Sequence, residues 1–238
     1  MNNTIKSSFL MPKCSLRTLD NYLIRQSILN AITIQLNNFH GKLLDVGCGQ
    51  MPYKSLVTSS PSKVAEYIGL DFENNAIHDN QPDITWINDK IPLNDNSIDC
   101  VLCTEVFEHC SDVEKVMKEI FRVLKPNGVL FFTVPFLWPL HEVPYDHYRY
   151  TPFSLRHHLT QCYFTEIVLK PMGGWDASLA QMLGLWVRRK PMGRSTRKCL
   201  SLILLPIIWT LGKIDKKDNI MFSESDMLTG ISGTARKP

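Results

Sequence analysis

The sequence has no long apolar run. Its longest, Leu200 to Leu211, is about a dozen residues interrupted by Pro206, too short for a bilayer span, which takes roughly 20. Charge of either sign is not in excess either. Lysine plus arginine number 26 against 23 aspartate plus glutamate, giving +3 and a pI near 8.4. That is too mild a balance to demand a nucleic-acid partner, so any basic surface must be local. Met1 to Asp20 carries scattered Lys6, Lys13 and Arg17 but no continuous apolar segment, so it does not read as a secretory signal and a cytoplasmic location is expected. Cysteine is present but unframed. The seven are an odd number, and the one CxxC spacing, Cys100 to Cys103, lies in an apolar run read as a strand. Residues three apart on a strand face opposite sides, which argues for buried, reduced thiols rather than a zinc knuckle. No GxxxxGK[ST] follows any strand, which excludes a P-loop, and no internal repeat is visible. What remains, at 238 residues with 44% hydrophobic and 21% charged, fits a single globular domain over 1–238.

The apolar spacing then sets out the elements. Leu19, Leu23, Leu29, Ile32 and Leu36 recur at helical spacing, and His40-Gly41 closes that run, giving an N-terminal helical lead-in over 1–41. Strands are predicted at Lys42 to Val46, Tyr67 to Leu70, Asp83 to Ile87, Ile98 to Cys103 and Val129 to Val134, with further candidates at Phe164 to Leu169 and Ile231 to Arg236. Between the fourth and fifth, Ser111-Asp-Val-Glu114 reads as a capping box opening a helix whose one face carries Val113, Val116, Met117, Ile120 and Leu124. Short apolar strands alternating with helices imply a Rossmann-like α/β fold: a seven-stranded, mostly parallel sheet covered on both faces. Residues 172–225 form a helical insertion before the last strand. In it Arg188 to Lys198 has six basic residues and no acidic one, and it runs into the apolar Leu200 to Leu211.

The first strand ends in Leu43-Leu-Asp-Val-Gly47-Cys-Gly49, and the second ends in Asp71, 22 residues past Gly49. Glycine lets a backbone approach a ligand, and an acid after the second strand accepts hydrogen bonds from ribose hydroxyls. A dinucleotide fingerprint wants a further glycine where this chain has Pro52, so NAD is disfavoured.

These motifs resemble the class I S-adenosylmethionine-dependent methyltransferases, in the type 11 branch. The likeness covers Leu43 to Pro171 and the final strand, and includes Tyr67-Ile-Gly-Leu-Asp71, Asp89 with Ile91-Pro92-Leu93, Asn96 to Asp99 through Glu108-His109, and Glu119 to Gly128. The resemblance implies that Gly47 and Gly49 line the methionine part of S-adenosylmethionine, Asp71 holds both ribose hydroxyls, Asp89 meets the adenine amino group, and Asp45 orients the loop. Met51 stands where the family often has a third glycine, with Pro52-Tyr53 after it. Base-directed relatives of this fold end the fourth strand in Asn or Asp followed by Pro-Pro-aromatic; this chain reads Cys103-Thr104-Glu105-Val106, which argues against base methylation.

Glu105, Glu108 and His109 stand at i, i+3 and i+4, so a helix begun at Thr104 would put them on one face. The pattern resembles the magnesium-ligating stretch of small-RNA 2′-O-methyltransferases and ubiquinone-pathway O-methyltransferases, which implies Mg2+ there; a Glu-His pair bonded to backbone beside the cofactor, with Glu105 in the cofactor site, is the other reading, and the metal is left open. After the fifth strand, Pro139 to Pro152 contains His141, Asp146, His147, Arg149 and three tyrosines. Loops at the C-terminal edge of a parallel sheet bind substrates, and imidazole titrates near neutral pH, so His109, His141, Asp146 and His147 are the catalytic candidates. The loop resembles a His…Pro-x-Asp-x-x-Arg-x-Thr pattern of methyltransferases near bacterial surface-polysaccharide biosynthesis. The expectation is therefore methyl transfer to a hydroxyl of a small or glycan-like acceptor, lipid-linked in one version, with no nucleic acid involved. A catalytically silent S-adenosylmethionine-binding partner protein is the alternative. The apolar helix over 199–214 is expected either to make a homodimer or core contact, or to touch the inner face of a membrane peripherally.

Overall fold

The computed structural model describes residues 6–72, 81–86, 90–216 and 220–238. By its internal packing the chain divides into two compact units. One comprises the described part of Met1–Ala31 with Phe136–Pro139 and Pro171–Ile231, and the other comprises Ile32–Pro135, Leu140–Lys170 and Ser232–Pro238.

The seven strands are β1 (His40–Val46), β2 (Lys63–Phe72), β3 (Ile84–Trp86), β4 (Ile98–Thr104), β5 (Leu124–Pro135), β6 (Thr165–Pro171) and β7 (Gly230–Arg236), in the order β3-β2-β1-β4-β5-β7-β6. β1 pairs in parallel with β2 and β4, β2 with β3, and β4 with β5. β7 runs the other way. Asn127 donates to the Lys237 carbonyl at one end, and Phe136 donates to the Thr229 carbonyl at the other, a register that only antiparallel strands produce. The expected Rossmann-like sheet is therefore present, made mixed by its last strand. The parallel strands read as near-continuous apolar runs because both sheet faces are covered: Leu43, Leu44, Val101, Leu102, Leu130 and Phe132 are all fully buried.

The helices are α1 (Tyr22–Gln35), α2 (Lys54–Val57), α3 (Val113–Val123), α4 (Pro152–Gln161), α5 (Trp175–Arg189) and α6 (Arg194–Ile214). α3 buries Val113, Met117, Ile120 and Val123 on one face. Its N-cap is Asp112, whose side chain accepts from the Lys115 N–H at 3.1 Å, one residue later than the expected capping box at Ser111. α4 opens on a full capping box, Thr151 with Ser154, behind which Pro152 supplies the fixed first φ.

In the unit built from the N-terminal residues and 171–231, α5 and α6 pack on each other around Leu19, Ala180, Val187 and Ile208. Gly184 lets that packing close, since a Cβ there would stand 2.0 Å from the Leu19 carbonyl oxygen. The Asp215 carboxylate accepts from the Gly174 and Ala177 N–H groups, so it caps the start of α5. Pro206 does not break α6, which continues to Ile214.

Candidate active site

At the C-terminal end of β1 the chain makes a turn that only glycine fits. Gly47 has φ +68°, and a Cβ added to it would lie 2.4 Å from a Val106 methyl. Its N–H and that of Cys48 both donate to the Leu70 carbonyl, at 2.9 and 3.0 Å, tying the turn to the end of β2. Gly49, at φ +49°, donates its N–H to the Asp71 carboxylate at 3.0 Å. The acid after β2 is thereby held beside the glycine turn of β1, and it is almost fully buried. Met51, where a third glycine is common, takes a left-handed φ of +51° itself.

Asp45 lies beneath this turn, buried, and accepts a hydrogen bond from the Tyr67 hydroxyl. Burial pushes its carboxyl up to about 7, the Tyr67 bond opposing and the nearby Asp71 reinforcing that rise. Asp83 accepts from the Gly69 N–H at 2.7 Å and so braces β2 from the neighbouring strand's lead-in. Neither Tyr67 nor Asp83 was among the sequence candidates. Tyr67 lies on β2 level with Leu43, two residues before Asp45, and only the parallel register of β1 and β2 sets its hydroxyl against that acid. No local signal marks Asp83. The expected adenine contact, Asp89, lies outside the described residues.

The turn after β4 differs from the expected helix. Glu105 has φ +55° and hangs from the sheet by its N–H to the Thr133 carbonyl, and a single 3-10 turn follows over Phe107–His109. The α-helical i, i+3, i+4 face imagined for Glu105, Glu108 and His109 does not form, because the left-handed residue breaks it. Glu108 is wholly buried, and apart from its own backbone N–H neither carboxylate oxygen has a hydrogen-bond partner. Burial, and then Glu105, push its carboxyl well above the usual carboxylate range.

The loop after β5 folds back onto this turn. His147 and Tyr148 donate their N–H groups to the Glu108 carbonyl at 2.8 and 3.2 Å, and the buried Tyr150 hydroxyl donates to the Phe107 carbonyl at 3.0 Å. The loop's fold brings His141 against His109, ring centroids 4.7 Å apart and edge to face. His141 Nδ1 lies 3.2 Å from the Asp146 carboxylate, which also accepts from the His141 backbone N–H. His109 Nδ1 lies 3.2 Å from the Tyr145 carbonyl. Each imidazole is thus held at Nδ1, while His109 Nε2 also lies 3.8 Å from the Glu108 carboxylate and 3.7 Å from that of Glu142. Asp146 is held well below the usual carboxylate range by Arg149, whose guanidinium grips both its oxygens. Burial lowers the His141 pKa, against the pull of Asp146.

One ligand atom each from Glu108, His109 and His141 lie within 4.8 Å of one another. The tertiary fold therefore exchanges one expected member: His141 joins Glu108 and His109, and Glu105 is not in this group. His147, a catalytic candidate, is exposed and contributes its backbone N–H rather than its ring to the cluster. Arg149, which fixes Asp146, stood in the sequence as the arginine of the Pro-x-Asp-x-x-Arg-x-Thr pattern, without a role of its own.

Residues 44–132 match a family model described as a methyltransferase domain. That segment runs from the end of β1 into β5 and contains Asp45, Gly47, Gly49, Asp71 and the Glu105–His109 turn. A probable S-adenosylmethionine-dependent methyltransferase of Mycolicibacterium smegmatis is 32% identical over 99 residues, 39% of this chain and 37% of that protein. A ubiquinone/menaquinone biosynthesis C-methyltransferase of Vibrio cholerae is 37% identical over 65 residues, 26% of this chain and 25% of that one. The chain thus spans well under half the length of the curated relatives it matches. Among solved structures, a S-adenosylmethionine-dependent methyltransferase from Archaeoglobus fulgidus superposes with a TM-score of 0.54 at 15% identity, covering 99% of both chains. Residues 44–132 thus resemble a methyltransferase domain, and the chain shares the Rossmann-like fold of that solved methyltransferase.

Proposed function

We propose that this chain transfers the methyl group of S-adenosylmethionine to a hydroxyl of a small or glycan-like acceptor. The observation that carries the reading is the pairing of the Gly49 N–H with the Asp71 carboxylate at the edge of β1 and β2, beside a glycine turn that admits no side chain. A buried acid in that position accepts from ribose hydroxyls, and the open backbone of Gly47 and Gly49 meets the methionine portion. S-adenosylmethionine supplies an electrophilic methyl on a sulfonium. The acceptor oxygen displaces it in line, the C–S bond breaks, S-adenosylhomocysteine leaves, and the hydroxyl proton passes to a base.

His141 is the base this geometry favours. Asp146 holds its Nδ1, so Nε2 is left to accept the proton, and burial disfavours the charged ring. His109 stands beside it, and a Glu108 carboxylate oxygen lies within 4.8 Å of both rings' ligand nitrogens. A second reading is favoured by buried Glu108 oxygens that no other residue hydrogen-bonds, with His109 Nε2 3.8 Å from one of them: Glu108, His109 and His141 would hold a divalent ion, which would acidify the acceptor hydroxyl. Two imidazoles with one carboxylate suit zinc or another first-row ion, not Mg2+, which takes oxygen ligands.

The glycan-like acceptor, with the link to surface polysaccharide it implies, rests on the likeness of the Pro144-x-Asp146-x-x-Arg149-x-Thr151 loop. The Vibrio relative is named for a quinone C-methyltransferase, so quinols belong in the same screen. Purified protein would be given S-adenosylmethionine with sugar, lipid-linked sugar and quinol acceptors, and S-adenosylhomocysteine release followed with and without chelator. Turnover on a hydroxyl acceptor that ignores chelator supports His141 as base, and chelator-sensitive turnover restored by zinc supports the metal. Binding of S-adenosylmethionine without turnover on any acceptor would point to the silent partner protein instead.

A further inference from the structure

The solvent side of α5 is apolar. Apart from Arg189 at its end, its exposed positions are Trp175, Leu179, Met182 and Trp186, spaced i, i+4, i+7 and i+11 so that they form one stripe along the helix. A surface helix ordinarily turns such a stripe inward. Here the opposite face, with Ala177, Ala180, Leu185 and Val187, already fills the core. α6 repeats the pattern. At 100° per residue, Leu202, Ile203, Ile207 and Ile214 fall within an arc of about 140°, all exposed, while the buried Ser201 and Ile208 lie on the far side. Scattered apolar residues on a surface need no explanation; two stripes on packed neighbouring helices do.

Past Asp176, the charge on these two helices and their connecting turn has one sign. No aspartate or glutamate occurs between Asp176 and Asp215, whereas Lys190, Arg194, Arg197, Lys198 and Lys213 all do, the first four in or beside the turn that joins the helices. At two places a lysine lies over an exposed tryptophan: Lys190 at 5.5 Å from the Trp186 ring and Lys213 at 6.0 Å from Trp209. A ring at the polar boundary with a cation reaching past it is the arrangement side chains adopt at a lipid headgroup layer. Among the described residues no helix is long and apolar enough to cross a membrane, so the helices would lie in the surface rather than span it.

We infer that the exposed faces of α5 and α6, with the basic turn between them, bind the surface of an anionic lipid bilayer. Charge selects this occupant over a second copy of the chain. Self-pairing would set the cations beside these stripes against the same cations of the other copy, with no acid on either helix past Asp176 to offset them, while anionic headgroups neutralise them.

The test uses the full chain, floated with vesicles of phosphatidylcholine alone and of phosphatidylcholine with phosphatidylglycerol, at low and high salt, beside light scattering for oligomeric state. The wild type should float only with the anionic vesicles, less so at high salt, with a blue shift of tryptophan emission. Lys198→Gln with Lys213→Gln should weaken vesicle binding by about fivefold per charge removed. Leu179→Glu with Ile203→Glu should abolish it with the circular dichroism unchanged. If that apolar pair unfolds, the lysine pair, both members of which are exposed, decides alone. Wild type that ignores anionic vesicles, or binds both vesicle types equally, overturns the inference. So does a lipid-indifferent dimer that Leu179→Glu splits.

Discussion

Arg149 grips both carboxylate oxygens of Asp146, at 2.6 and 2.8 Å, and Asp146 in turn holds Nδ1 and the backbone N–H of His141. The chain of contacts ends on an imidazole that packs edge to face on His109, with a ligand atom of each ring and of Glu108 within 4.8 Å of one another. The loop after β5 is therefore a built support for one ring and not a mere connection between strands.

Removing the support should cost rate and leave cofactor affinity alone. Arg149→Ala and Asp146→Asn are expected to lower turnover by roughly a hundredfold, the range of general acid-base catalysis, with S-adenosylmethionine affinity by calorimetry unchanged. His141→Ala should lose at least as much. His147→Ala, whose ring lies outside the cluster, should lose much less. Equal losses at His141 and His147 would remove the argument from orientation.

Asp71→Ala should weaken S-adenosylmethionine binding by about 1.5–3 kcal/mol, the usual contribution of a hydrogen bond to a charged group. It also frees the Gly49 N–H from its partner. Unchanged affinity in calorimetry would displace the ribose from this acid.

Gly47→Ala meets two penalties at once. An alanine at φ +68° costs roughly 1–2 kcal/mol, and crowding against the Val106 methyl adds about 1–3 kcal/mol more. Val106→Ala in the same chain should recover the second part and not the first, which a pair of thermal melts would show.

Asp45 makes stability depend on pH in an uncommon direction. Its folded-state pKa is raised to about 7, above the unfolded value near 3.9, so the folded form binds the extra proton. The contribution is fully present below about pH 4 and is lost as pH rises through 7, on the order of a few kcal/mol in all. Asp45→Asn keeps an acceptor for Tyr67 and should flatten denaturant midpoints across that interval. Asp146 acts with the opposite sign. Its pKa is depressed, so its contribution is present above about pH 4 and lost as pH falls through the depressed value.

For the Glu108, His109 and His141 trio, zinc titration followed by calorimetry separates the two readings. A site that binds one zinc in the wild type and none in Glu108→Gln would make the trio a metal centre. No heat in either protein would leave His141 as an unassisted base.

Much of this was legible in the sequence because it is written locally. The period-two and continuous apolar runs marked all seven strands, though several by only their inner residues, since edge positions carry polar side chains that hydrogen bonding, and not hydrophobicity, places in the sheet. Gly47, Gly49 and Asp71 could be read as a set because a glycine turn and the acid after the next strand have fixed positions in such a fold, and the structure joins Gly49 to Asp71 directly. The order of strands carried that much.

What only the tertiary structure decided are the relations between distant segments. Glu105, Glu108 and His109 suggest a helical face in sequence, but a left-handed Glu105 replaces it, and the third member of the cluster comes from His141, 32 residues beyond His109. The capping of α3 moved one residue, from Ser111 to Asp112, because either side chain satisfies the same orphan donors and only the chain's approach selects one. α5 carries apolar residues on both of its faces, so periodicity alone leaves open which stripe is outside. Packing against Leu19 and α6 made that choice, and with it exposed Trp175, Leu179, Met182 and Trp186. Sequence fixes spacing along a chain; which side chains meet across it depends on closing long loops, and that is settled only by the packing that repays the closure.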